Sequence, residues 1–196
     1  MAENTYDLII MRKKVKKALD KDRYEHTKGV MYTACSLAMA YGYDLHKAMV
    51  AGLLHDCAKC IPHEEKIDLC RKNHMPVNEI ELANPGLLHA KAGAILAERR
   101  YGVKDPEILH AIRVHTTGEP EMSLLDRILF VADYIEPGRC QAPRLPYLRQ
   151  LAFGDLDACT AEILSDTLKY LGGRLAPIDP MTQITFDYYK SCLKEK

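Results

Sequence analysis

The sequence contains no tryptophan and only 3 phenylalanines, and its 7 valines are few beside 24 leucines and 20 alanines. Aromatic and β-branched side chains favour strands, whereas leucine and alanine favour helices. This composition argues against a β-rich fold and predicts an all-α protein. Glycine (11) and proline (10) are also too scarce for a fibrous or loop-dominated chain. A length of 196 residues suits a single domain.

Net charge of either sign is missing as well, because 27 Lys and Arg balance 27 Asp and Glu. This balance excludes a globally basic nucleic-acid binder, so any polyanion must be met by a local cluster of cations. The longest stretch without a charged residue, 29–43, is too short to span a bilayer. We therefore expect neither a nucleic-acid nor a membrane partner. The oligomeric state stays open, with a homodimer as one possibility.

The seven cysteines are odd in number and show no paired framework. The apolar run 8–11 is only four residues long, so we expect no secretory leader. We expect free thiols and a cytoplasmic location. Cys57 and Cys60 have the spacing of redox or zinc motifs, but no second pair accompanies them. Burial of one thiol and exposure of the other is the simpler interpretation.

Helical periodicity runs through segments of roughly 10 to 20 residues between glycine and proline breakers. Asp44 stands where an N-cap is expected, just before one such segment. The Pro-rich stretch 137–146 is the one candidate internal boundary. We predict one domain over residues 1–196, a helical bundle with its core at about 20–140 and a C-terminal helical part at about 147–196.

Several polar residues interrupt the apolar faces of these helices. They are His26, Asp56, His89, His115 and Asp133, and His55 stands beside Asp56. Asp56, for example, continues the face of Leu45, Ala48 and Gly52 at helical spacing. A buried, unpaired carboxylate is costly, and a metal ion removes that cost. Taken singly, each histidine could be a hydrogen-bonded core residue and each aspartate could pair with an arginine, with Arg127 or Arg139 available to Asp133. Taken together, the residues favour one shared metal site in the bundle.

At these residues the chain resembles a known family. The matching segments are 23–27 (RYEHT), 53–59 (LLHDCAK), 115–118 (HTTG) and 132–139 (ADYIEPGR). A distant His, then His-Asp, then a late Asp is similar to the HD-domain superfamily of metal-dependent phosphohydrolases. Within it, the segments resemble the YqeK type, bacterial symmetrical bis(5'-nucleosyl)-tetraphosphatases.

The resemblance implies roles for individual residues. It implies a divalent metal, typically iron, held by His26, His55, Asp56 and Asp133. It implies substrate phosphate, or else a second ion, at His89 and His115. It implies further phosphate contacts for Lys59, Thr116 and Arg139, and a catalytic role for Asp56 and Lys59. It also implies that residues 176–180 close over a nucleoside. An imidazole–carboxylate set also accepts Mn, Co, Ni or Zn.

The resemblance further implies hydrolysis of diadenosine tetraphosphate to two ADP, through metal-activated water attacking an inner phosphorus. Two alternatives remain open from the sequence. The same site could serve another nucleotide phosphohydrolase, namely a pyrophosphatase, a nucleotidase or a cyclic-nucleotide phosphodiesterase. A nucleotide sensor with a structural metal would instead show a closed coordination shell and no turnover.

Overall fold

The computed structural model describes residues 6–173 and 178–194, and within those ranges it contains helices and no strand. The all-α prediction is confirmed. The helices are α1 (Leu8–Ala18), α2 (Lys21–Ala40), α3 (Leu45–Leu54), α4 (His63–Lys72), α5 (Glu79–Ala83), α6 (His89–Tyr101), α7 (Pro106–Val114), α8 (Leu124–Ile135), α9 (Leu145–Leu151), α10 (Leu156–Gly172) and α11 (Pro180–Cys192), with a 3₁₀ turn at Pro85–Leu88.

Side-chain caps fix where the central helices begin. Asp20 accepts a hydrogen bond from the Arg23 amide at 2.8 Å and starts α2. Asp44 accepts from the Lys47 amide at 2.9 Å and starts α3, which confirms its prediction as an N-cap. Each cap satisfies an amide that has no partner within the helix.

The core of the protein lies among α2, α3, α7 and α8, whose buried faces include Met31, Leu53, Ile112 and Leu129. Helix α6 packs on α7, and α10 packs on both α8 and α11. The same apolar cluster extends to Tyr189 in α11. None of the described helices combines the length and apolarity needed to cross a membrane.

Helices α2 and α3 approach each other at Gly52. A Cβ added there would lie 2.7 Å from the Met31 Cα and 3.1 Å from the Met31 amide nitrogen. Only glycine allows this approach, because the obstructing atoms are backbone. The contact places the start of α2, with its polar residues, beside the end of α3.

One detail of the helical pattern is wrong. Helix α3 ends at Leu54, so Asp56 lies in the following turn rather than on a helix face. In that turn the amides of Cys57 and Lys59 each bond to a carbonyl three residues earlier. Leu45, which begins the predicted apolar row, is 42% exposed because it is the first residue of the helix.

Candidate metal centre

The six polar residues singled out in the sequence converge on one place in the bundle. His26 lies in α2 and Asp133 in α8, and the other four lie at or next to helix ends. Those four are His55 and Asp56 after α3, His89 at the start of α6, and His115 after α7. His55, Asp56, His89 and His115 are all buried.

The four imidazoles share one hydrogen-bonding arrangement. Three donate Nδ1–H to the carbonyl three residues earlier: His55 to Gly52 (2.8 Å), His89 to Gly86 (2.7 Å) and His115 to Ile112 (2.7 Å). A carbonyl only accepts, so Nδ1 must carry the proton and the neutral ring keeps its lone pair on Nε2. The Nδ1 of His26 likewise meets a carboxylate oxygen of Glu136 at 3.1 Å. All four Nε2 lone pairs therefore face the site.

Four of these residues form the first cluster: His26, His55, Asp56 and Asp133. The Nε2 of His26 lies 3.0 Å from Asp133 Oδ1 and 3.9 Å from Asp56 Oδ2. The Nε2 of His55 lies 3.5 Å from Asp56 Oδ2 and 3.8 Å from Asp133 Oδ1. Two ligand atoms each about 2.1 Å from one ion lie at most about 4.2 Å apart, so all four distances are compatible with a shared cation.

Unpartnered buried atoms support this fit. Within the described chain, His26 Nε2 and His55 Nε2 are buried and have no hydrogen-bond partner of good geometry. The same holds for Asp56 Oδ1, the oxygen that faces His89 and His115. Buried polar atoms are almost always satisfied in proteins, and lone pairs pointing at one another repel. A divalent cation in the first cluster would satisfy the two histidine nitrogens, and the nitrogen and oxygen donors suit Fe, Mn, Co, Ni or Zn.

The second cluster shares Asp56 with the first. Asp56 Oδ1 lies 3.2 Å from the Nε2 of His89 and 3.9 Å from the Nε2 of His115, and these two nitrogens are 3.2 Å apart. Lys59 already supplies a cation here, because its Nζ lies 3.1 Å from His89 Nε2 and 3.8 Å from Asp56 Oδ1. The carboxylate of Asp56 thus joins two groups of lone pairs.

Burial and neighbouring charge set the protonation of the cluster. Burial, together with the neighbouring His115, lowers the pKa of His89 to about 3, and burial with His55 nearby lowers the pKa of His115 to about 4. Burial alone would raise the pKa of Asp56, but attraction of its carboxylate to His55 in the protonated form and to the Lys59 ammonium holds that pKa well below its usual range. Two neutral imidazoles and an ionised carboxylate at neutral pH follow, which is the state that a metal requires of its ligands.

Arginines border the first cluster. Arg23 donates to Asp56 Oδ2 at 2.9 Å and Arg139 donates to Asp133 Oδ1 at 3.1 Å, while both keep exposed guanidinium surface. The alternative partner for Asp133, Arg127, pairs instead with Asp157. Asp133 therefore pairs with Arg139 and still belongs to the cluster.

Among the predicted site residues, Thr116 stands apart from the clusters. It lines a cavity of about 240 Å³ with Leu87, Lys91, Arg113 and Met181, and none of the six clustered residues is in the wall. In the predicted closing segment 176–180, residues 176 and 177 lie outside the described part of the chain.

Comparison with known proteins agrees with this geometry. The family model of the HD domain matches residues 23–138, which include every member of both clusters. The chain belongs to the HD domain family.

Two curated relatives match nearly the whole of this HD protein. It is 41% identical over 177 residues to "Bis(5'-nucleosyl)-tetraphosphatase, symmetrical" of Bacillus subtilis, covering 90% of this chain and 94% of the relative. It is 42% identical over 173 residues to the protein of the same name from Halalkalibacterium halodurans, covering 88% and 91%.

A solved structure is also similar. It is described as a predicted HD superfamily hydrolase involved in NAD metabolism from Clostridium acetobutylicum. The TM-score is 0.92 at 36% sequence identity, covering 96% of this chain and 100% of the other. The HD fold and its helical tail are therefore found together in a relative.

Sequence reasoning missed two contacts of this HD site. Arg23 and Glu136 both lie inside segments that resemble the family, yet neither is among the predicted site residues. Arg23 looks like an ordinary residue of a helix start, and Glu136 reaches His26 only because the turn after α8 folds back over α2. The available signal for Arg23 is the Asp20 cap, which accepts from the Arg23 amide and places this residue in the first turn of α2.

Proposed function

We propose that this HD protein is a metal-dependent hydrolase that cleaves diadenosine tetraphosphate symmetrically to two ADP. The proposal is carried by the unpartnered Nε2 atoms of His26 and His55, which meet the carboxylate of Asp56 at one buried point. The printed activity of the two relatives supports the substrate. The competing functions are those of another nucleotide phosphohydrolase and of a non-catalytic sensor, and the test below distinguishes them.

We assign the metal to His26, His55, Asp56 and Asp133, with iron as the preferred ion. Bound there, a divalent ion supplies an activated water and polarises a phosphoryl oxygen. Fixed Nδ1–H bonds orient the imidazoles before any ion arrives, which lowers the cost of assembling the site. Asp56 has a second role, since its unpartnered Oδ1 is free to hold and orient the attacking water.

Lys59 is assigned to the substrate. Its ammonium lies between Asp56 and His89, and burial lowers its pKa. Charge that builds on the equatorial oxygens during phosphoryl transfer is stabilised by such a fixed cation in a water-poor site. The Lys59 ammonium is therefore placed to stabilise the transition state, a role that a purely structural metal site does not need.

His89 and His115 act through the same cation. Their Nε2 atoms cannot donate to a phosphate while the rings are neutral. We propose that His89 accepts from the Lys59 ammonium and holds it over the phosphate, and that His115 packs against His89. A second metal ion at this pair would have to displace the ammonium. We therefore expect one ion per chain.

Charge at the border of the site matches a polyphosphate. Arg23, Lys59 and Arg139 balance the carboxylates of Asp56, Asp133 and Glu136. With neutral histidines, a bound divalent cation leaves a net positive charge facing the substrate. We propose that this charge, with a contact from Thr116, fixes the phosphate chain in one register. The cytoplasmic location and the oligomeric state stay predictions.

Product analysis tests the proposal. Metal-loaded protein is incubated with diadenosine tetraphosphate, diadenosine triphosphate, a nucleoside diphosphate and a cyclic nucleotide, and the products are separated by ion-exchange chromatography. Two equivalents of ADP from the tetraphosphate alone are expected. ATP plus AMP, or turnover only of another nucleotide, would contradict the substrate assignment. Full metal occupancy without any turnover would favour the sensor.

A further inference from the structure

Glu136 is a buried acid for which the reaction has no direct use. It is 3% exposed and lies immediately after α8, where its Oε1 accepts from His26 Nδ1 at 3.1 Å. The amide of Gly138 donates to its Oε2 at 2.5 Å. A carboxylate stays ionised at such burial only when partners like these replace water.

Two glycines form the space that the carboxylate occupies. A Cβ added at Gly29 would lie 2.3 Å from Glu136 Oε2, and one added at Gly138 would lie 3.0 Å from the same atom. Gly29 is three residues after His26 in α2, so both residues face Glu136 from the same side of the helix. Any side chain at position 29 would force the carboxylate away from the place where it meets the imidazole.

Arg149 holds the turn that carries Glu136. From α9 its guanidinium donates three hydrogen bonds of 2.9 Å each, to the carbonyls of Ile135, Glu136 and Arg139. One side chain thereby fixes both ends of the turn after α8. Arg149 lies beyond residue 138, where the match to the HD family model ends.

We propose that Glu136 is a positioning residue that fixes the tautomer and direction of His26 for the metal, and that Arg149 fixes Glu136 from outside the conserved-domain match. The inference rests on the metal assignment made above. A carboxylate on the far nitrogen of a ligating histidine orients the ring and raises its basicity. The C-terminal helical part thereby contributes to the affinity of a site that it does not touch.

Affinity for Mn²⁺ tests the role of Glu136. It is measured by competition with a chromogenic chelator, beside the melting temperature of the metal-free protein. Glu136→Ala is expected to weaken Mn²⁺ binding about 10- to 100-fold. Glu136→Gln should weaken it less, because the amide oxygen still accepts from Nδ1.

Gly29→Ala separates positioning from folding. If Glu136 only stabilises the fold, its displacement lowers the melting temperature, offset in part by the higher helix propensity of alanine, and leaves the Mn²⁺ affinity unchanged. The proposal predicts weaker Mn²⁺ binding, since the new Cβ displaces the carboxylate. This variant also keeps the proposal testable if Glu136→Ala does not fold.

Arg149→Ala tests the link through α9, and Arg144→Ala is its control. Arg144 lies at the start of the same helix and pairs with Glu162 and Asp166 in α10, whereas Arg149 bonds to the turn after α8. Arg149→Ala should weaken Mn²⁺ binding several-fold and Arg144→Ala should not. Wild-type affinity in both Glu136→Ala and Gly29→Ala would overturn this inference alone, whereas a wild-type protein that binds no Mn²⁺ would overturn the proposed metal site as well.

Discussion

Replacement of Gly52 by alanine tests how the helix crossing builds the site. The added Cβ would lie 2.7 Å from the Met31 Cα, whereas ordinary contacts lie at 3.4–4 Å. Helices α2 and α3 must therefore separate by roughly 0.7–1.3 Å, since backbone cannot turn aside as a side chain can. Overpacking of this kind costs about 1–3 kcal/mol, and the gain from alanine in a helix offsets about 0.5–1 kcal/mol of it.

The net loss of about 0–2.5 kcal/mol corresponds to a fall in melting temperature of up to roughly 10 °C for a chain of this size. Function should suffer more, because α2 carries His26 and α3 leads directly into His55. A displacement of about 1 Å in reacting groups is enough to cost on the order of 100-fold in rate. Calorimetry and steady-state turnover measure the two effects separately.

Gly172→Ala is the matched control. A Cβ there meets no described atom within 4 Å, so we expect no loss of melting temperature or turnover. If Gly52→Ala melted at or above the wild-type temperature with full turnover, the tight crossing of α2 and α3 could not be what sets the spacing of the site.

Three further predictions concern single groups. Asp56→Asn should lose most bound metal and at least 100-fold in turnover, measured by elemental analysis and product assay, because Asp56 faces both clusters; full activity would refute its assignment. Lys59→Met should keep the metal and lose about 100- to 1,000-fold in turnover; a parallel loss of metal would show that Lys59 supports the ion instead. At pH 8 a thiol reagent should modify the exposed Cys60 and Cys140 quickly and Cys70 only on unfolding, because burial raises the pKa of Cys70 to about 11. This raised pKa means that the neutral Cys70 thiol contributes to folding stability below about pH 8.5, and the contribution declines as the pH rises toward 11.

The fold class and the site differ in how far the sequence could predict them. Helix content follows from composition and periodicity, and the Asp44 cap is a local signal, so both could be predicted. The expected burial of one thiol of the 57–60 pair and exposure of the other is also confirmed, with Cys57 buried and Cys60 exposed. Local rules suffice for such features.

The histidines could be found because polar groups on apolar faces are unusual, but their geometry could not. Whether Asp56 lies on a helix or in the next turn depends on where α3 stops, which side-chain spacing does not reveal. Glu136 lies in a segment that resembles the family and Arg149 does not, but the role of each depends on contacts between segments far apart in the chain. Tertiary contacts of this kind are invisible to periodicity.

The position of a bound ion tests the central claim most directly. Anomalous diffraction from crystals of the Mn²⁺-loaded protein would locate it. We expect one peak per chain, within bonding distance of His26 Nε2, His55 Nε2 and carboxylate oxygens of Asp56 and Asp133. A well-occupied ion elsewhere, with these four side chains bonded only to one another, would contradict the account.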